Sequence, residues 1–135
     1  GNQFDFISIM NSKYGLKLLS TSNGANVTSD IGMNNFAHIE IQPKYQSQGG
    51  ASTYGIWMDA NTAGIKWNNF PNCNIWDWGL ADMGISYCIY IPNNNPSAGN
   101  SHSLVNHFTG FWTGVSGKTH YDPLGANTFS RRSGA

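Results

Sequence analysis

A short template recurs along this chain and limits the folds open to it. It reads Tyr54-Gly55-Ile56-Trp57-Met58-Asp59 and closes in the polar turn Ala60-Asn61-Thr62-Ala63-Gly64. A near copy is Tyr87-Cys88-Ile89-Tyr90-Ile91-Pro92, followed by a run of Asn, Ser and Gly. An earlier copy is Tyr14-Gly15-Leu16-Lys17-Leu18-Leu19, and a looser one is Phe36-Ala37-His38-Ile39-Glu40-Ile41-Gln42-Pro43. The shared unit is aromatic, small, aliphatic, variable, aliphatic, then a turn. Period-two alternation of this kind is that of a strand, and it places positions one, three and five on one face. In the fourth copy it places Phe36, His38, Glu40 and Gln42 on one face and Ala37, Ile39 and Ile41 on the other. The copies are unevenly spaced, which argues against a regular solenoid array.

The rest of the chain reads as strands and loops. Residues 4–10 form a first strand or the tail of a stalk, with 1–13 as the end of that stalk. Residues 65–67 are a short return strand making a hairpin with 54–60. Residues 68–84 carry Phe70, Trp76 and Trp78 among Asn and Asp without lasting periodicity, and read as a long ordered loop, with a strand around Ile75 to Trp78 as the alternative. The next strand is 85–91. A final strand pair is expected over 103–113, where Gly110 and Gly114 argue against a helix. No stretch has the apolar stripe of a three-turn helix. The expectation is a single all-β domain over 1–135, with short antiparallel strands and long loops.

Composition agrees. Only 10% of the 135 residues are charged, with seven basic and seven acidic side chains, against roughly 25% in an average globular protein. Asn, Ser and Gly favour turns over helices. Aromatics make up 13%, five of them Trp, which a disordered polar segment would not carry. Without clustered Lys and Arg there is no footprint for nucleic acid. No apolar run is long enough to cross a bilayer as a helix, so no membrane insertion is expected. Large aliphatic residues are scarce and loops long, so a core shared between interleaved chains is one way to bury enough surface. Cys73 and Cys88 could pair across neighbouring strands or stay as buried thiols.

The segment Trp67, Asn68, Asn69, Asn72, Asn74, Trp76, Asp77, Trp78 and Asp82 interleaves aromatic rings with amides and carboxylates. Sugars stack their C–H faces on such rings and pair their hydroxyls with such polar groups. The expected ligand-binding residues are Trp67, Asn72, Asn74, Trp76, Asp77, Trp78 and Asp82, with Trp112 and Tyr121. The alternative is that Trp76 and Trp78 fill the core from one strand face. Asp77 and Asp82 are the only carboxylate pair placed for glycoside hydrolysis. His102, His107, His120 and Asp122 lie close in sequence, but their spacing matches no metal-ligand signature. Neither a metal nor another cofactor is expected. Gly114-Val115-Ser116-Gly117-Lys118-Thr119 lacks the first Gly and the setting of a phosphate loop, and reads as a turn.

The pieces Gly49-Gly50-Ala51-Ser52-Thr53-Tyr54-Gly55-Ile56-Trp57-Met58-Asp59 and Ile85-Ser86-Tyr87-Cys88-Ile89-Tyr90-Ile91 resemble segments of trimeric bacteriophage tail fibres and related bacterial fibre tips. The resemblance spans residues 14–91 loosely. It implies a homotrimer at the extracellular end of a fibre, on a virion or bacterial surface, presenting loops to a surface glycan or other receptor without catalysis. A polysaccharide-degrading fibre enzyme, a structural trimerisation module and a monomeric secreted lectin are the rival readings.

Overall fold

The computed structural model describes residues 1–12, 14–20, 31–43, 53–60, 64–75, 85–93, 103–112 and 119–132. The chain runs through β1 (Gln3–Phe4), β2 (Ile7–Ser12) and β3 (Tyr14–Ser20). It continues through β4 (Ile31–Gly32), β5 (Asn35–Phe36), β6 (Ile39–Pro43) and β7 (Thr53–Ala60). A third circuit is β8 (Ile65–Lys66), β9 (Asn69–Ile75) and β10 (Ile85–Asn93). A fourth is β11 (Ser103–Leu104), β12 (His107–Trp112) and β13 (His120–Tyr121), and β14 (Thr128–Arg131) ends the series. Among the described residues none is helical, so the protein is all-β.

Every strand pair is parallel. Sheet A stacks β1, β5, β9, β12 and β14, with β2 and β6 beside them. Sheet B stacks β3, β7, β10 and β13. Sheet C stacks β4, β8 and β11. The chain visits the sheets in rotation, and each circuit lies on the one before, so this is a parallel β-solenoid. The antiparallel arrangement expected from the sequence is corrected here, as is the argument against a solenoid. The hairpin expected at 65–67 is also absent: β8 pairs with β4 and β11 in sheet C, not with β7. Two adjacent strands in sequence need not pair when a third sheet lies between them.

Three template copies lie in register in sheet B, with Tyr14 opposite Tyr54 and Tyr54 opposite Tyr87. The alternation slips at the small residue. Ile56, Met58 and Ala60 are fully buried while Tyr54 and Trp57 are only half-buried and share the outer face. Positions one and four therefore face out, and two, three and five face in. Position two is small because it is crowded from two sides, by the carbonyl of the neighbouring strand in sheet B (Gly55 for Gly15, Cys88 for Gly55) and by side chains of sheet A. A Cβ on Gly55 would stand 2.8 Å from Ile75 Cδ1, and one on Gly15 would stand 2.5 Å from Ile41 Cγ2. The looser copy is not in this sheet. Its Phe36 lies in the core with Ile39 and Ile41, because the chain leaves the strand path at Ala37–His38 between β5 and β6 and so changes the face Phe36 presents. Residues 69–75, expected as loop, form β9, whose Phe70, Cys73 and Ile75 are fully buried.

Two columns run through the stack. Phe4, Phe36, Phe70, Phe108 and Phe129 form a ring ladder in sheet A, with centroids 4.8, 4.6, 4.5 and 5.2 Å apart and planes within 8°. That spacing is the strand separation of a sheet. Beside it run Asn2, Asn34, Asn68, Asn106 and Asn127. In each step the backbone N–H and the Nδ2 of one Asn both donate to Oδ1 of the next, at 2.9–3.1 Å. The second Nδ2 proton of Asn68 goes to the Ile31 carbonyl and that of Asn106 to the Ile65 carbonyl. Both amides are thus satisfied at all four positions while fully buried. Steps of 32, 34, 38 and 21 residues hid this period, because chain length between circuits varies outside the ladder.

Cys73 and Cys88 are buried thiols not joined by a disulfide, and burial, with Cys88 close by, raises the Cys73 thiol far above its ordinary range. The described residues build one core from one chain, in which Ile7, Ile9, Leu16, Leu18, Ile31 and Phe129 flank the fully buried set.

The ladder sets a stability prediction. Asn68→Asp keeps the acceptor for Asn34 but removes both donations and places a carboxylate against Asn106 Oδ1 and the Ile31 carbonyl. Chemical denaturation should show a loss of at least about 3 kcal/mol, since each stranded buried group costs about 1–3 kcal/mol. A loss no larger than that of an exposed site such as Asn69→Asp would show that the ladder does not hold the stack.

Candidate functional site

Stacking identical positions turns each outward residue of the template into a column. On the outer face of sheet B the first column is Tyr14, Tyr54 and Tyr87. The second is Lys17, Trp57, Tyr90 and Tyr121, and a third holds Leu19 and Asp59. Tyr54 meets Trp57 at 4.7 Å and Tyr90 at 4.8 Å between centroids. Tyr87 meets Tyr90 at 5.4 Å and Tyr121 at 5.5 Å, and Tyr90 meets Tyr121 at 5.3 Å. Six rings therefore form one continuous strip.

Trp57 stands nearly perpendicular to Tyr14, Tyr54 and Tyr90, at 73°, 71° and 74°. Edge-to-face contacts of this kind are the preferred ones between aromatic quadrupoles. Its Nε1–H is buried and donates to no oxygen or nitrogen among the described residues, at a cost that a purely structural ring such as Phe would avoid. Lys17 Nζ sits 5.3 Å from the Tyr14 centroid and 5.4 Å from that of Trp57, within cation–π range. The Tyr90 phenol is held above its ordinary value by desolvation, then by Tyr54, Tyr121 and Tyr87. It stays a neutral donor at physiological pH. Tyr121 ends its column with 39% of its surface exposed, and no further ring covers it among the described residues.

The sequence-derived candidates fall in different places. Tyr121 belongs to this strip. Trp67 is at a corner between β8 and β9 with φ of 56° and is 54% exposed, in line with Met33 and Val105, which share the positive φ. Asn72 and Asn74 lie in β9 and face outward from sheet A, a different surface. Asn72 Nδ2 meets His38 Nδ1 at 2.6 Å, and His38 Nε2 meets Glu40 Oε1 at 3.0 Å, so that imidazole has both nitrogens engaged. Phe6 stacks on its ring. Trp112 closes β12 in register with Ile75. Trp76, Asp77, Trp78 and Asp82 lie outside the described residues. The structure therefore does not bring Trp67, Asn72, Asn74 and Tyr121 into one site.

Sequence reading missed Tyr14, Tyr54, Trp57, Tyr87 and Tyr90 as a group. The signal was present at positions one and four of the template. It becomes a surface only when the copies are laid side by side in parallel.

The histidines are dispersed too. His102 lies outside the described residues, His107 begins β12 in sheet A, and His120 lies in sheet B. Among the described residues no three His, Cys, Asp or Glu side chains converge as a metal site. His120 stacks on Phe129 with centroids 4.0 Å apart and so closes the phenylalanine ladder. Desolvation lowers its pKa from 6.5; Asp122 opposes that shift and Arg131 adds to it.

No protein-family model matches the chain, and no curated protein or solved structure matches it either.

The depressed His120 value sets a pH dependence. The unfolded state binds the proton more readily, so the stability from neutral His120 is fully present above pH 6.5. It is lost as pH falls through the folded value. Amide exchange in β14 should quicken over that interval, and His120→Phe should flatten the response. An unchanged pH profile in His120→Phe would assign the effect to another group.

Proposed function

We propose that this chain is a non-catalytic recognition domain that binds a surface glycan along the outer face of sheet B. The observation that carries the reading is the continuous strip of six aromatic rings, Tyr14, Tyr54, Trp57, Tyr87, Tyr90 and Tyr121, lying open on a regular sheet. A sugar presents apolar C–H faces and hydroxyls together. The strip offers ring surface at Tyr121, phenolic hydroxyls along both columns, and Asp59 at its margin as a polar partner. The Tyr90 phenol, held above its ordinary value by desolvation and the neighbouring rings, is uncharged, which suits a neutral ligand. Strands hold the rings in fixed positions, so little side-chain entropy is lost on binding. The unpartnered Trp57 N–H argues that the residue is kept for something other than stability.

The fibre-tip resemblance extends this proposal. A homotrimer at the extracellular end of a fibre, on a virion or bacterial surface, would present three such strips. Weak single-site affinity would then be raised by avidity.

The test is binding to an array of cell-surface polysaccharides, followed by titration of the best binder. Tyr121→Ala should weaken binding about tenfold, the loss expected of one truncated aromatic anchor. Trp57→Phe should weaken it while leaving the melting temperature unchanged or higher, because it removes the stranded donor. Equal binding by both variants and the parent would remove the site from sheet B. Release of reducing ends from the bound polysaccharide would replace recognition by catalysis. Light scattering at the mass of one chain would remove the trimer while leaving the strip intact.

A further inference from the structure

We infer that the corner between sheets C and A carries a second binding site, for a single neutral pyranose. It is built from Trp67, Asn69, Val105 and His107 and is independent of the strip on sheet B.

The corner leading into β9 reads Trp67-Asn68-Asn69, and the one leading into β12 reads Val105-Asn106-His107. Asn68 and Asn106 are fully buried and hydrogen-bonded to each other at 2.9 Å, which ties the two corners together. The register holds on both sides of them, with Lys66 opposite Leu104 and Asn69 opposite His107. Trp67 therefore stands beside Val105, and Asn69 beside His107, one strand spacing apart. Trp67 is 54% exposed and Val105 44%, and Asn69 and His107 are exposed as well. The four residues make one patch with an apolar half and a polar half.

Two observations single the patch out. The first is the choice of residue at the corner. Trp67 has φ of 56° and Val105 of 55°, a conformation that glycine and asparagine take readily and that costs a bulky or β-branched side chain. Neither side chain offsets that cost by burial. The second is a break in a line of amides. The buried column runs on through Asn127, whose backbone N–H and Nδ2 both donate to Asp122 Oδ2 at 3.0 Å. Beside it lies an exposed column that stops midway. Asn35 Nδ2 donates to Gln3 Oε1 at 2.9 Å, and Asn69 Nδ2 donates to Asn35 Oδ1 at 3.0 Å. The next position is His107. Among the described residues Asn69 Oδ1 accepts no hydrogen bond, and the His107 ring makes none.

The occupant follows from this division. A pyranose has an apolar C–H face and a rim of hydroxyls that donate and accept. The face suits the Trp67 indole with the Val105 methyls beside it. Neighbouring hydroxyls suit Asn69 Oδ1 as acceptor and a ring N–H of His107 as donor. The patch has no carboxylate or ammonium group, so it asks for no charged ligand, and its span of two circuits fits one sugar ring. A peptide strand finds no edge here, because the backbone is already paired: His107 N–H donates to the Asn68 carbonyl and Val105 N–H to that of Ala126, both at 2.9 Å.

The test is a titration of the whole chain with the methyl glycosides of glucose, galactose, mannose and N-acetylglucosamine, read by NMR of the side-chain N–H groups in nitrogen-labelled protein. Saturable shifts of the Trp67 indole and Asn69 amide signals are expected with at least one of the four. Trp67→Asn should weaken that binding at least about tenfold. It should leave the melting temperature unchanged or higher, because asparagine tolerates the positive φ, whereas loss of a merely structural Trp67 would lower it. Asn69→Ala should weaken binding about tenfold. Tyr121→Ala should leave the shifts as they are, which separates this site from the strip. No saturable shift with any of the four sugars, or equal binding by Trp67→Asn and the parent, would overturn the proposal. So would loss of the shifts in Tyr121→Ala, which would put the sugar on sheet B. A concentration-dependent dimer that Trp67→Asn dissolves would overturn it too, because a second copy would then be the occupant.

Discussion

A chain that turns a corner against its own core leaves backbone amides away from water, and in this protein the asparagine column meets them. The N–H of each ladder Asn would be orphaned at the bend, and Oδ1 of the next circuit accepts it. The backbone also joins the circuits directly: Asn35, Asn69, His107 and Thr128 donate to the carbonyls of Asn2, Asn34, Asn68 and Asn106, at 2.9 Å each. Asparagine suits the position because it both donates twice and accepts twice. Aspartate has no donor, and an aliphatic residue would strand four partners. The aspartate at residue 122 therefore ends the column where a ladder member would continue it.

Registration of the ladder fixes the rest of the section. Once the asparagines align, the phenylalanines two residues later stack, and the strands of sheet A follow in register. Sheet B is then pressed close, with Ile41 and Ile75 seated over Gly15 and Gly55. The small residue in the template is the complement of a large one on the opposite sheet. This is how a chain with few large aliphatic residues fills a core: the same few contacts are repeated in each circuit. The non-glycine residues Met33, Trp67 and Val105 all take positive φ immediately before a ladder Asn. The corner therefore has one backbone geometry, held by the hydrogen bonds on either side of it despite the cost to a branched side chain.

Repetition also makes the surface. A parallel stack converts one outward position into a row at the spacing of the strands, so a single preference for aromatic residues becomes a strip. Packing and surface chemistry are separated by this geometry. Inward positions answer to packing between sheets A and B, while outward positions are free to vary, as Lys17, Trp57 and Tyr90 do within one column.

Local sequence alone determined that this chain is all-β, because alternation over five residues and an excess of turn formers act within a strand's length. The aromatic, small, aliphatic template marked three strands of sheet B. Tyr121 was singled out in the sequence and lies at the end of the aromatic strip of sheet B, and the two buried cysteines were legible as one of two alternatives. The direction of pairing was not legible, since a strand reads the same whether its neighbour is parallel or antiparallel. Nor was the solenoid: the Asn-x-Phe repeat is two residues wide and recurs at 32, 34, 38 and 21 residues, because the length of chain between circuits is free while the corner is not. Asn68 looked like a sugar-binding amide and is instead fully buried in the ladder. Only the tertiary structure decides such a case, because a polar side chain turns inward when partners on two neighbouring circuits satisfy all its hydrogen bonds, and those partners are more than thirty residues away.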